Sequence, residues 1–454
     1  MSDHSFTSNS RVAVVGLGKI GLPLAAQYAS RGLTVIGADT DPAVVNTVNR
    51  GLSHVGGEPG LDDLVRDAVT AGRLRATVDT TAATRDADVI VVIVPVKVYE
   101  DGRVDFSSID HVTAEVGRGL RPGVLVIYET TLPVGTTRNR LARELAEASG
   151  LAAGRDFAVA FSPERVYSGR VFRDLRRYPK IVGGIDAASG CAAEAFYRVA
   201  LEFDAELPEP RVWVVGTVEA AEFTKLVETT YRDVNIALAN QFARFADAWQ
   251  IDVDEVVSAA NSQPFSHVHR PGVGVGGHCI PVYPLFLLND DRAGESQSLA
   301  RMARLENDDM ADYGVQRIDR ALGGLAGQSV LILGYSYREN VREDYLSTTK
   351  RLVPALSERG ARVLVHDPHY SAAELIERGV APYDLTRPEP VDGIVLQALH
   401  REYRDLDFRM FPRCRVVLDG RNAIDPATVE SAGLAYIGIG RGNGSNHPRL
   451  RGSL

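Results

Sequence analysis

The sequence predicts an α/β protein with two Rossmann-like, doubly wound domains joined by a long central helix. Three observations carry that prediction. A strand, a glycine-rich turn, a helix and a second strand ending in an acid open the chain between Arg11 and Asp39. A helical pattern without strand signals runs from Thr217 to about Ala260. Past the breaker cluster Gly323–Gly327, alternation of short apolar strands and helical stretches resumes.

The opening unit runs from the β-branched run Arg11-Val-Ala-Val-Val through Gly16-Leu-Gly18-Lys-Ile-Gly21 into a helix, Leu22–Ser30. A second strand, Leu33–Asp39, follows, and its acid lies 18 residues after Gly21. That order and spacing predict a dinucleotide-binding βαβ unit. Gly16 permits the tight turn, Gly18 lets the pyrophosphate approach the backbone, and Gly21 allows the helix to pack close. Asp39 would take hydrogen bonds from ribose hydroxyls and repel a 2′-phosphate, which favours NAD over NADP. Lys19 and Ile20, inside the turn, belong to the same expected contact surface.

Further parallel strands are expected at Ala87–Pro95, Gly123–Tyr128 and Asp156–Phe161. Their exits, at Pro95, at Thr130-Thr131 and at Glu164, should open into one crevice, since ligands of open α/β sheets gather at the carboxyl ends of strands. The helical stretch carries apolar residues at threes and fours on more than one face between Val218 and Phe245, the pattern of a helix packed between domains; such a helix commonly also forms a dimer surface, the alternative being a buried linker helix. In the last third, Ser329–Gly334, Arg362–Asp367, Gly393–Gln397 and Arg415–Asp419 read as four parallel strands. The turn Gly334-Tyr-Ser-Tyr-Arg338 lacks the glycine fingerprint, so a different ligand is expected there. The resulting division is 10–207, 208–320 and 321–440, with 441–454 as a disordered tail.

With 454 residues the chain is long enough for several cores. No run of about 18 apolar residues exists, so no membrane span is expected, and the polar N-terminus lacks a secretory h-region. Cys191, Cys279 and Cys414 are odd in number and widely spaced, which argues against a disulfide framework or a metal cluster and fits a reducing, cytoplasmic setting. Cys191 and Cys414 read as unreactive structural thiols. A net charge of −9 gives no sign of nucleic-acid binding.

Cys279 differs from the other two. It ends the loop Gly272-Val-Gly-Val-Gly-Gly-His-Cys279, whose glycines leave room for a large ligand to reach the thiol. A thiol so placed can attack a carbonyl carbon and hold it covalently. His278, beside it, could lower the thiol pKa if charged and close, although adjacency in sequence does not bring the two together.

Taken in order, these motifs resemble the UDP-glucose/GDP-mannose dehydrogenase family across nearly the whole chain. The runs Gly-Gly-His-Cys-Ile-Pro281 and Ser-Pro-Glu-Arg-Val166 look like the branch that oxidises UDP-N-acetylhexosamines. The resemblance implies oxidation of a nucleotide sugar's C6 alcohol to an acid, with two NAD⁺ used in succession through a cysteine thiohemiacetal and thioester. It implies Cys279 as nucleophile, Lys225 as oxyanion stabiliser, Glu164 as activator of the hydrolytic water, and Thr130 as its orienter. It further implies cofactor contacts from Pro95 and Thr130. Substrate contacts are implied for Glu164, Arg165, Val166, Lys225, Arg270, Gly276, Tyr337 and Arg338. A homo-oligomer, no metal, and a role in polysaccharide or glycosylated-metabolite synthesis also follow from it.

The chain departs from the family at several points. Tyr283 stands where an aspartate follows the cysteine by four, and Thr229 stands where an asparagine follows the lysine by four. Phe265 lies near an expected arginine, with Arg270 or His269 as substitutes, and Tyr345 replaces an arginine of the C-terminal domain, where Arg338 and Arg342 could hold phosphates. Two further readings stay open on these grounds. One is a redox enzyme on another nucleotide-linked alcohol, or an epimerase that oxidises transiently. The other is a weakly catalytic NAD- and nucleotide-sugar-binding regulator.

Overall fold

The computed structural model describes residues 6–99, 102–290, 292 and 298–442. The expected tail lies almost wholly outside them. The chain forms two compact units, Met1–Glu228 and Thr229–Leu454, taken in turn below.

The strands of the first unit are β1 Arg11–Val15, β2 Thr34–Ala38, β3 Leu74–Thr77, β4 Val89–Val92, β5 Lys97–Val98, β6 Val104–Asp105, β7 Leu125–Tyr128, β8 Ala158–Phe161, β9 Lys180–Gly184 and β10 Val212–Val214. All but the small β5–β6 hairpin join one sheet in the order β10-β9-β8-β7-β4-β1-β2-β3. From β3 to β8 every pairing is parallel. Strands of this kind are buried on both faces and read as unbroken apolar runs, which is why β1, β4, β7 and β8 show in the sequence. One face packs Leu22, Leu24, Tyr28, Phe196 and Tyr197 against the sheet; the other packs Ile109, Val116, Leu141 and Leu145. The strand order reverses between β1 and β4, and this switch point opens the crevice at their carboxyl ends.

β9 runs antiparallel to β8, with Ala160 opposite Gly184 and Phe161 opposite Gly183. The start of β9 therefore comes back to the sheet edge at which β8 ends. That reversal places Lys180 at the crevice.

The stretch expected to be helical to Ala260 resolves into two helices, Val218–Trp249 and Val253–Ala260. Gln250 adopts a left-handed conformation at φ 56°, which stops the first helix, and the Asp252 carboxylate caps the second by accepting from the Asp254 N–H at 2.9 Å. The Val218–Trp249 helix exposes Phe223, Val227, Tyr231, Leu238, Phe242, Phe245 and Trp249, spaced by three, four or seven along one face.

In the second unit β11 Ser329–Leu333, β12 Arg362–His366, β13 Gly393–Leu396, β14 Val416–Asp419 and β15 Ala435–Gly438 form a parallel sheet ordered β12-β11-β13-β14-β15. The four expected strands are joined by a fifth. β15 is a short edge strand whose Ala435 is exposed, so it lacks the continuous apolar signature of its neighbours. Its register, Asp419 opposite Gly438, completes the sheet. The helix Ser298–Leu322 packs Met310, Val315 and Ile318 against one face.

Candidate active site

The glycine turn after β1 has the shape a pyrophosphate requires. Gly16 sits at φ +96°, a conformation L side chains rarely adopt, and a Cβ there would lie 2.9 Å from Ile93 O. A Cβ on Gly21 would fall 1.8 Å from Gly16 O, so only glycine lets the helix begin this close to the strand. A Cβ on Gly18 would meet nothing within 4 Å, so this stretch of backbone lies open. The helix Gly21–Ser30 starts at Ile20 with no side-chain cap; its Leu22 N–H is taken by Gly18 O at 3.2 Å and Pro23 has none, so an anion at this end meets the helix dipole rather than a row of open N–H groups. Asp39 fixes the turn from the end of β2: one oxygen accepts from Leu17 N at 2.9 Å, the other from Asp41 N at 3.0 Å. Its remaining lone pairs suit two ribose hydroxyls. These residues fit NAD.

Thr130 follows β7, and its hydroxyl donates to Val94 O, just before Pro95, at 2.7 Å. The proton of that hydroxyl is thereby used, so Thr130 Oγ1 can only accept from a ligand. Glu164 follows β8. One carboxylate oxygen accepts from Arg165 N at 2.6 Å and Val166 N at 3.1 Å, and the other accepts from Lys180 Nζ at 2.8 Å. Lys225 reaches the same segment from the Val218–Trp249 helix and donates to the Glu164 carbonyl at 2.5 Å. One turn on, Glu228 pairs with Arg165, whose guanidinium also donates to Pro179 O at 3.1 Å. Glu164, Arg165, Val166 and Lys225 are thus one interlocked group, anchored by the first turns of that helix.

Two buried carboxylates in this unit are not signalled by motif. Glu222, fully buried, accepts from Gly135 N and Thr137 N, and so ties the loop after Thr130 to the helix carrying Lys225. Burial pushes its carboxyl up to about 7, against those two N–H bonds. Glu129 accepts from Lys180 Nζ at 3.1 Å, from Tyr197 OH, and from Tyr28 OH at 3.4 Å. Burial raises the Glu129 carboxyl despite Lys180 beside it, whereas in Glu164 the pull of Lys180 and its hydrogen bonds outweighs burial and holds the carboxyl below its ordinary value. A reading of β9 as a strand running back along β8 would have exposed Lys180 in the sequence.

In the second unit the thiol of Cys279 is exposed. Its carbonyl accepts from Tyr283 N at 2.9 Å, which closes the turn leading into the short helix Pro284–Leu288. Gly276 and Gly277 press against Tyr337: a Cβ on Gly277 would lie 2.8 Å from its ring, and Gly277 N donates to Tyr345 O at 2.9 Å. Burial raises the Tyr337 hydroxyl, Arg338 opposes the rise, and nearby Cys279 adds to it. Arg338 Nε donates to Tyr337 OH at 3.0 Å. His278 is turned to Glu343, with its Nε2 2.5 Å from that carboxylate, and its ring lies flat on Tyr345 with centroids 4.0 Å apart. The tyrosine that replaces the expected arginine is therefore the shelf on which the neighbour of Cys279 rests.

The remaining residues are more scattered. Arg270 is exposed and acts on Asp254, His269 is half-buried near Arg232, and Phe265 is almost fully exposed on the same loop. Arg342 pairs with Glu374 and donates from Nε to His369 O at 3.0 Å. Cys414 is buried and its thiol pushed up to about 11 by burial, in keeping with a structural role, whereas Cys191 is exposed on the helix Ala187–Ala200. Among the described residues no helix is long and apolar enough to cross a membrane.

Family models match in three consecutive blocks. The NAD binding domain of the UDP-glucose/GDP-mannose dehydrogenase family matches residues 10–201, its central domain 219–309, and its UDP binding domain 331–426. The UDP-N-acetyl-D-mannosamine dehydrogenase of Pyrococcus horikoshii is 33% identical over 441 residues, covering 95% of this chain and all of that protein. The NDP-N-acetyl-D-galactosaminuronic acid dehydrogenase of Ralstonia solanacearum is 34% identical over 421 residues, covering 90% and 95%. A solved structure of the Pyrococcus horikoshii UDP-D-ManNAc dehydrogenase superposes with a TM-score of 0.83 at 32% identity, covering 95% of this chain and 100% of that one.

Proposed function

We propose a function from one premise: the chain belongs to the UDP-glucose/GDP-mannose dehydrogenase family, a family of NAD-dependent oxidoreductases. The proposed reaction is oxidation of the C6 primary alcohol of a nucleotide sugar, of the UDP-N-acetylhexosamine class, to the uronic acid. The observation that supports it most is the joint presence of a complete dinucleotide turn, the Glu164–Lys225 group and an exposed Cys279 in a glycine loop.

Gly16, Gly18, Gly21 and Asp39 would hold NAD⁺, which would supply the hydride acceptor for each of the two oxidations. Lys225 Nζ stabilises the negative charge that builds on the C6 oxygen as the C–H bond breaks. The Cys279 sulfur adds to the aldehyde carbon, and the carbonyl oxygen takes a proton to give a thiohemiacetal. Loss of that proton with the second hydride leaves a thioester on Cys279. Glu164 then takes a proton from water as the water oxygen bonds to the thioester carbon; the C–S bond breaks and the thiolate is regenerated. Arg338, beside Tyr337 and the glycine loop, is the cation proposed for the diphosphate. The test is a count of NADH formed per nucleotide sugar consumed, across UDP-, dTDP- and GDP-sugars, with the product identified by mass.

We further propose that a second copy of the chain covers the apolar stripe from Phe223 to Trp249, since seven large side chains on one exposed helix face exceed what a monomer ordinarily leaves in water. Light scattering at micromolar concentration is expected to give at least a dimer mass, and a strictly monomeric mass would rule the proposal out.

A further inference from the structure

The first unit buries a lysine that the proposed chemistry does not use directly. Lys180, at the start of β9, is 5% exposed in its side chain, and its ammonium donates to Glu129 at 3.1 Å and to Glu164 at 2.8 Å. It also lies over the ring of Tyr197, with Nζ 5.0 Å from the centroid. Glu129 is fully buried and Glu164 is 11% exposed, so both carboxylates depend on the same cation inside the protein. A surface ion pair contributes little, but a buried one that loses a partner leaves a charge with no compensation.

The sheet explains the arrangement. The β8–β9 register pairs Ala160 with Gly184 and Phe161 with Gly183, and continued past the end of β8 it brings Lys180 opposite Glu164. Ser162 Oγ donates to Ile181 O at 2.7 Å along the same line and locks the two segments together. Glu129 arrives at the adjacent position from the end of β7.

We propose that Lys180 is a positioning residue of the acid-forming reaction: buried between Glu129 and Glu164, it fixes the Glu164 carboxylate in place and keeps it ionised as the base that activates water. This rests on the role assigned to Glu164 above. Glu164 is faced by Glu129 from the end of β7, by Lys180 from β9 and by Tyr28 from the helix Gly21–Ser30. Tyr197 of the helix Ala187–Ala200 bonds Glu129 behind it, and Lys225 holds its carbonyl from the Val218–Trp249 helix. Lys180 is the cation that touches its carboxylate. Removing that cation leaves the buried Glu164 carboxylate without its counter-ion, and burial then favours the protonated, inactive acid. Sequence distance gives no hint of this role, because the contact is made by strand reversal.

The test compares wild type, Lys180→Met and Lys180→Arg in two ways. The first is the pH profile of acid formation. Because the base must be ionised, raising its pKa moves the acidic limb up; Lys180→Met is expected to shift it by about 1–3 pH units, and Lys180→Arg to leave it near the wild-type position. The second is the infrared titration of the Glu164 carboxyl in the ligand-free protein, identified as the band lost in Glu164→Gln. Its midpoint is expected to rise in Lys180→Met by the same amount. Should Lys180→Met fail to fold, Glu129→Gln/Lys180→Met removes the second buried carboxyl together with the cation and is expected to show the upward shift from the lost cation. An unmoved limb or an unmoved titration in a folded variant overturns the inference. Failure of the functional reading shows separately, as a wild-type protein that yields no acid from any nucleotide sugar.

Discussion

Cys279→Ala is expected to stop acid formation, lowering its rate by on the order of 10³-fold or more, as loss of a covalent nucleophile does in other enzymes. Binding of NAD⁺ should survive, because the turn Gly16–Gly21 and Asp39 lie in the other compact unit. Cys279→Ser separates the steps further. The first hydride transfer requires no sulfur, so some reduced cofactor should still form, while progress to the acid is blocked or replaced by a slowly hydrolysed ester. The expectation rests on Cys279 being exposed at the end of a loop whose Gly276 and Gly277 are pressed onto Tyr337. Cys279 is exposed, so thermal melts of both variants should stay close to wild type. A melt that falls sharply would instead assign the loss to folding.

Lys225→Ala is expected to slow both oxidations by on the order of 10²–10³-fold, since charge builds on oxygen in each and removal of one oxyanion donor costs about that much. The structure adds a second consequence. Lys225 Nζ holds the Glu164 carbonyl at 2.5 Å, so its loss also frees the segment that carries the base. Reduced cofactor formation and thioester hydrolysis should therefore both suffer, which stopped-flow absorbance and quenched-flow product analysis separate. A substitution that leaves both rates unchanged would remove Lys225 from the mechanism.

The parts of this site that depend on short-range geometry are legible in the chain. Gly16 and Gly21 are demanded by backbone approach within a single βαβ unit, and the apolar runs of β1, β4, β7 and β8 follow from burial on both faces. Cys279 and Glu164 stand out because motifs surround them. What stays hidden is made by pairing across the sheet or between loops. β9 is the run Lys-Ile-Val-Gly-Gly and reverses direction, so Lys180 stands outside any unbroken apolar signature although it touches two carboxylates. The stack of His278 on Tyr345 joins residues 67 apart and turns an apparent loss, the missing arginine, into a contact beside the thiol. Helix continuity is overread at Gln250, where a left-handed residue with no sequence marker ends an otherwise regular pattern.

Stoichiometry bears on the central claim most directly. The protein is incubated to completion with NAD⁺ and a nucleotide sugar of the UDP-N-acetylhexosamine class, and reduced cofactor is counted against product identified by mass. The account predicts two NADH for each molecule of substrate and a product that has gained one oxygen and lost two hydrogens at C6. One NADH with an aldehyde or ketone, or no NADH with an epimerised sugar, would contradict it.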